Sequence, residues 1–115
     1  MKRGDVYLAT LDPRSGSEEK GRRPVIVVSH DGFNESPGWR SVIVVPVSTS
    51  RSQSRRGPTA VSLPKGAGGL GRDSLALCHQ VTTLDRAKLT RHLGALTETH
   101  LSQVGEGLKI AQDLP

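Results

Sequence analysis

The segment Gly16-Ser17-Glu18-Glu19-Lys20-Gly21-Arg22-Arg23-Pro24 runs from a polar loop straight into the β-branched residues 25–28. The loop brings the carboxylate of Glu18 and two guanidiniums, Arg22 and Arg23, to the edge of a strand. Pro24 ends it without offering a ladder N–H, so the charged groups are held against a rigid element. An arginine presents a planar fork that suits phosphate, and a glutamate beside it serves as a proton acceptor or as its ion-pair partner. Taken alone, the segment reads equally as an exposed ion pair on a hairpin.

Composition narrows the chemistry that such a pair can serve. With 115 residues, 34% of them hydrophobic, the chain fills one domain and one core. Sixteen Lys and Arg against eleven Asp and Glu give a net charge of +5, which favours an anionic partner such as RNA or DNA. The one cysteine, Cys78, excludes an internal disulfide framework and a multi-thiolate zinc site. Its setting in Leu75-Ala76-Leu77-Cys78-His79 reads as a small buried hydrophobe rather than a nucleophile. No apolar signal region opens the chain and no stretch reaches membrane-spanning length, so the expected location is cytoplasmic.

The elements that must position these groups are mostly strands. Residues 6–11, 25–29, 41–47, 59–63 and 74–84 are strand candidates, the first ending at the turn pair Asp12-Pro13. Pro46 marks the third as an edge strand or a bulge. Residues 30–38 form a turn-rich surface excursion, and 48–57, with three arginines and no apolar residue, form a mobile basic loop. The glycine-rich link 64–72 is too irregular in spacing for a phosphate-cradling P-loop. Residues 85–89 add one helical turn and the Gly94 region a short strand. Only the tail is helical: Thr97 caps it, and Leu101, Val104, Leu108 and Ala111 make one apolar face. Gly105 and Gly107 each lower its propensity by roughly 1 kcal/mol, so packing on the sheet must hold it. The predicted fold is mainly β with an appended helix, a small bent sheet or half-open barrel in a single domain spanning 1–115.

Six blocks in order carry a resemblance across most of the chain. They are Arg3-Gly4-Asp5-Val6-Tyr7, Asp12-Pro13, Gly16-Ser17-Glu18, Gly21-Arg22-Arg23-Pro24-Val25, Val44-Val45-Pro46-Val47-Ser48 and Gln80-Val81-Thr82-Thr83-Leu84-Asp85. In this order they resemble the MazF/PemK family of toxin–antitoxin ribonucleases. The resemblance implies an SH3-like half-open barrel of about five to seven strands, a homodimer, and cleavage of single-stranded mRNA at short motifs with no metal or other cofactor. It also implies a MazE-like antitoxin whose acidic tail occupies the RNA groove, and growth arrest when the toxin is free.

RNA can be cut by its own 2′-hydroxyl, which attacks the adjacent phosphate and leaves a 2′,3′-cyclic phosphate and a 5′-hydroxyl. The protein must take one proton, supply another and stabilise charge on the phosphate oxygens. Arg23 is the candidate for the phosphate, since the resemblance makes the arginine before this proline catalytic; its high pKa makes it a poor acid. Glu18 is the base, or the anchor that orients Arg23. The family's catalytic threonine falls after Val44-Val45-Pro46-Val47, where this chain has Ser48 and then Thr49. Ser48 keeps the hydroxyl and ranks first, a register shifted by one nominates Thr49, and both residue types also cap turns at strand ends.

RNA gripping is assigned to Arg51, Arg55 and Arg56 of the basic loop, with Ser17 and Arg22 beside the catalytic pair. A charge-rich loop is equally a solvated one. Tyr7, Phe33 and Trp39 are the only aromatics, so base readout falls to hydrogen bonds, with Gln80 as donor and acceptor. His79 stands where many family members carry an acidic residue, a change that bears on base preference or is surface drift. His30, His79, His92 and His100 make no metal-ligand spacing, and His100, near the helix start, is expected to be exposed. Two other readings stay open: a non-catalytic CcdB-like toxin that binds DNA gyrase, and an SH3-like RNA-binding module without turnover.

Overall fold

The computed structural model describes residues 1–11 and 21–115, and the side chains of Arg51, Gln53 and Arg56 are outside the description. The turn pair Asp12-Pro13 therefore lies outside the described residues. Among the described residues seven strands form one antiparallel sheet: β1 (Asp5–Thr10), β2 (Arg22–Val27), β3 (Ser41–Ser48), β4 (Ala60–Leu63), β5 (Ser74–Leu77), β6 (Thr82–Asp85) and β7 (Leu89–Ala95). Their order is β4-β5-β3-β2-β1-β7, with β6 paired to β3 beside β5. Helix α1 (Asp31–Asn34) is a single turn in the excursion after β2, and α2 (Glu98–Gln112) follows β7. The mainly β expectation holds, with seven strands and a C-terminal helix.

β3 carries the architecture because it is apolar on both faces. Val42 and Val44 join Ala9, Leu11, Val25 and Leu84 in one cluster, while Val45 and Val47 join Val6, Ile26, Leu63, Ala76, Leu96 and Val104 in another. Each fully buried valine contributes about 1.5–3 kcal/mol relative to exposure. This strand is central, contrary to the edge or bulge that Pro46 suggests. It pairs with β6 from Ser41 to Val44 and with β5 at Val47 and Ser48, leaving Val45 and Pro46 unpaired on that side. Its bonds to β2 fall on odd positions, as Val28 N–H donates to the Ile43 carbonyl at 2.9 Å. The N–H that Pro46 lacks would face the gap between β5 and β6, where no ladder bond is missed.

The same partner switch splits the predicted strand 74–84. Cys78–Gln80 form a 3₁₀ turn between β5 and β6, which lets the chain pass from one end of β3 to the other. Residues 85–89 hold a 3₁₀ turn, Arg86–Lys88, capped by the Asp85 carboxylate, which accepts from the Ala87 N–H at 2.8 Å. The short strand expected around Gly94 is the seven-residue β7. The basic segment is not structureless: 3₁₀ turns cover Arg51–Thr59, broken at Gly57, whose φ is 72°.

Helix α2 starts as predicted, with the Thr97 hydroxyl accepting from the His100 N–H at 3.2 Å. Leu101, Val104 and Leu108 pack into the cluster around Val45. Gly107 explains its own cost, since a Cβ there would lie 2.7 Å from both Cys78 Sγ and Val61 Cγ2. The helix approaches the sheet at that point because no side chain intervenes. Cys78 is buried, burial pushes its thiol up to about 11, and its Sγ lies 3.6 Å from the Val104 carbonyl. It is a packing residue. His100 is half-buried, not exposed, with a buried Nδ1 that has no hydrogen-bond partner among the described residues.

Arg86 fixes the excursion after β2. Its guanidinium donates to the carbonyls of Phe33, Asn34 and Ser36 at 2.6, 2.8 and 3.2 Å, and also to that of Trp39. Beside it, Asp85 pairs with Arg40 at 2.8 Å, and the Ala87 N–H and Arg40 together hold its carboxyl below the ordinary range. A carboxylate lowered on folding stabilises the protein above its unfolded pKa, and that stabilisation fades as pH falls through the folded value. Asp85→Ala is therefore expected to lower the thermal midpoint at pH 7, with the gap from the parent narrowing only as pH falls below about 4, the ordinary carboxylate value; melts across that range check it.

Candidate active site

Strand register assembles the site. Arg23 lies opposite Ala9 of β1, Ser48 opposite Leu75 of β5, and Leu75 opposite Ser62 of β4. β2 pairs with β3 from Val27↔Val44 to Val25↔Pro46, and continuing that register by two residues sets Arg23 against Ser48. Residues directly opposite share a face, so Ala9, Arg23, Ser48, Leu75 and Ser62 form a transverse row at one end of the sheet. Adjacent strands are about 5 Å apart, which brings the Arg23 fork within reach of a phosphate held at Ser48.

The two ends of this row differ in burial. Ser48 is 4% exposed, and its Oγ accepts from the Ser50 N–H at 3.1 Å, the strand-end cap that its residue type allows. That bond uses one lone pair and leaves the O–H to donate. Arg23 is exposed on β2. Arg22, also exposed, points to the opposite face by strand alternation and so cannot share a phosphate with Arg23 through the same geometry.

Beyond Ser48 opens a cleft of about 800 Å³ lined by Ser48, Thr49, Ser54, Ser62, Arg72 and Asp73, among others. Its size is within the ~300–1,000 Å³ typical of small-ligand sites. Ser48 and Thr49 both line it, Ser48 at the buried end of β3 and Thr49 exposed just past it. Arg55 is exposed and follows Ser54, so the 3₁₀ segment borders the cleft. Of the other residues picked from the sequence, Ser17 and Glu18 lie outside the described residues, and the side chains of Arg51 and Arg56 are outside the description. Gln80 is half-buried at the end of the Cys78–Gln80 turn, five residues beyond Leu75, and does not line the cleft.

The histidines stand apart from this row. His30 caps α1, its Nδ1 accepting from the Gly32 N–H at 2.8 Å, at the other end of β2. His79 Nδ1 lies 3.4 Å from the Thr59 hydroxyl. His92 pairs with Asp5 at 3.5 Å and stacks edge-on with Tyr7, ring centroids 5.0 Å apart. Sequence reasoning missed Arg72, because its place in the cleft depends on β5 pairing with β3, which no local pattern signals.

Comparison with known proteins agrees with this architecture. The family profile for the PemK-like, MazF-like toxin of type II toxin–antitoxin systems matches residues 2–111. The chain is 35% identical over 114 residues to the endoribonuclease MazF of Staphylococcus saprophyticus, covering 99% of this chain and 92% of that one. An endoribonuclease solved in complex with its cognate antitoxin, from a mycobacterial species, superposes with a TM-score of 0.80 at 25% identity, covering 100% of this chain and 97% of that one. MazF from Deinococcus radiodurans gives a TM-score of 0.80 at 23% identity over 99% of this chain and 97% of its own, a likeness of fold. Among the described residues no helix is long and apolar enough to cross a membrane. With a profile that spans nearly the whole chain and a relative at this identity, the protein belongs to the PemK-like, MazF-like family of type II toxin–antitoxin toxins, as a homologue of the endoribonuclease MazF.

Proposed function

We propose that the chain is the toxin of a type II toxin–antitoxin pair and cuts single-stranded mRNA at short sequence motifs by attack of the RNA's own 2′-hydroxyl. The observation that carries this reading is the β2–β3 register, which continued by two residues sets Arg23 against Ser48, beside the cleft that Ser48 lines. Arg23 offers paired N–H donors and Ser48 an O–H donor to the non-bridging phosphate oxygens, where charge grows in the transition state. The 2′-oxygen forms its bond to phosphorus as its proton leaves, and the bond to the 5′-oxygen breaks as that oxygen gains a proton. The products are a 2′,3′-cyclic phosphate and a 5′-hydroxyl. Glu18 is the proposed base or the anchor of Arg23, and neither Arg23 nor Ser48 requires a metal to act on the phosphate.

Arg22, Arg51, Arg55 and Arg56, with Ser17, are the proposed contacts along the strand, and Gln80 reads a base edge from outside the cleft. In this reading the toxin is a homodimer, since the path of the described strands ends at β4 and β7 without closing and leaves edges for a second copy to cover. Its inhibitor is a MazE-like antitoxin, a reading supported by the mycobacterial relative solved with its cognate antitoxin. Free toxin arrests growth by destroying mRNA.

The test is cleavage of a mixed-sequence single-stranded RNA in EDTA, with the cut positions and end groups mapped. Ser48→Ala is expected to lower kcat by about 10–100-fold, the worth of a hydrogen bond to a charged group, and Thr49→Ala by less than Ser48→Ala. The opposite order would move the hydroxyl role to Thr49, and intact RNA with folded wild-type protein would overturn the ribonuclease reading.

A further inference from the structure

The cleft beyond Ser48 holds a second guanidinium that the site described above does not use. Arg72 lines it together with Ser54, Ser62 and Ser74, and its side chain is exposed. Among the described residues no carboxylate pairs with it. Its neighbour Asp73 is engaged elsewhere, accepting from the Lys65 N–H at 2.8 Å. The Arg72 backbone is held in place, since the Ser74 hydroxyl donates to the Arg72 carbonyl at 2.9 Å. Two residues before it, Leu70 is buried in the core and its carbonyl accepts from the Gly66 N–H at 2.8 Å. An exposed guanidinium on a pinned backbone at the rim of a hydroxyl-lined cleft is a site for an anion.

The sheet order fixes its side. β3 lies between β2 and β5, so Arg23 approaches Ser48 from the β2 side and Arg72 from the side of β5. A phosphodiester at Arg23 and Ser48 leaves the cleft to the neighbouring nucleotide, with Arg72 lining it on the β5 side. We propose that Arg72 binds the phosphodiester next to the scissile one, with the intervening nucleotide seated in the cleft among Ser54, Ser62 and Thr49. This rests on the ribonuclease reading. Arg72 then serves substrate affinity and register, while Arg23 serves the reacting phosphate.

The test compares wild type, Arg72→Ala, Arg72→Lys and Arg91→Ala, the last removing an exposed charge from β7, outside the cleft. Binding is read by fluorescence anisotropy of a labelled oligonucleotide made uncleavable by 2′-deoxy substitution at the cut position, over a series of salt concentrations. Kinetics use the all-ribose form. Arg72→Ala is expected to raise KM about 5–30-fold, to lower kcat far less than Arg23→Ala does, and to reduce the log–log salt slope by about 0.7, the value of one phosphate contact on a single strand. Arg72→Lys should restore the slope, because a point charge still neutralises a phosphate, and Arg91→Ala should leave it as in wild type. An unchanged slope in Arg72→Ala beside a cleaving wild type overturns this inference alone. So does a loss confined to kcat. A wild type that leaves the all-ribose RNA intact overturns the ribonuclease reading instead.

Discussion

Arg23→Ala is expected to lower kcat for RNA cleavage by about 10²–10³-fold, the loss that accompanies removal of one donor to an oxyanion in a transition state. The residue is exposed on β2 and contributes no side chain to either apolar cluster, so the variant should fold and melt near the parent. On β2 it stands opposite Ala9 of β1, and the β2–β3 register continued by two residues sets it against Ser48. Arg23→Lys should recover only part of the rate, because an ammonium carries the charge without the two parallel N–H bonds. Single-turnover cleavage of one labelled oligonucleotide by the three proteins separates these effects from binding. Full activity in Arg23→Ala would remove this residue from the chemistry.

Gly69→Ala is expected to cost about 3–5 kcal/mol, in the range reserved for a backbone collision at a special φ. Gly69 sits in the tight turn Ala67–Gly69 with a φ of 78°, and a Cβ there would lie 2.0 Å from the Leu93 carbonyl oxygen. The turn crosses β7 backbone to backbone: a Cβ on Gly94 would in turn lie 2.7 Å from the Gly68 carbonyl carbon. Neither side can yield by rotating a side chain. The glycines of the link are thus there for close approach, which seals Val6 and Leu96 beneath the turn, since a Cβ on Gly68 would lie 2.5 Å from Val6 Cγ2. Urea unfolding should show the loss, with a thermal midpoint lower by roughly 10–20 °C. A change under 1 kcal/mol would mean that turn and strand are not packed this way.

Local chemistry made parts of this fold legible. Residues 25–28 and 41–47 are so β-branched and apolar that only buried strands suit them, and Thr97 announces the helix it caps. Local pattern misleads where tertiary pairing overrides it. Pro46 is penalised in a strand only if its N–H is needed, and the gap between β5 and β6 removes the need. The run 74–84 looks continuous because both of its halves pack against β3, yet the chain must turn at Cys78–Gln80 to reach both ends of that strand. At the site, Arg23 and Ser48 were legible as residue types in separate motifs, but their alignment follows from a register that spans three strands. Arg72 could not be found at all without the pairing of β5 with β3.

If the RNA's own 2′-hydroxyl is the nucleophile, removing that one hydroxyl at the cut position must stop the reaction. Once the cut position in an oligonucleotide is mapped, the nucleotide 5′ to the cut is replaced by its 2′-deoxy counterpart and both substrates are incubated with wild-type protein in EDTA. The all-ribose strand should be cut to a 2′,3′-cyclic phosphate and a 5′-hydroxyl, and the single deoxy substitution should abolish that cut while leaving binding largely intact. Continued cleavage at the substituted position would require a different nucleophile and would contradict the mechanism assigned to Arg23 and Ser48.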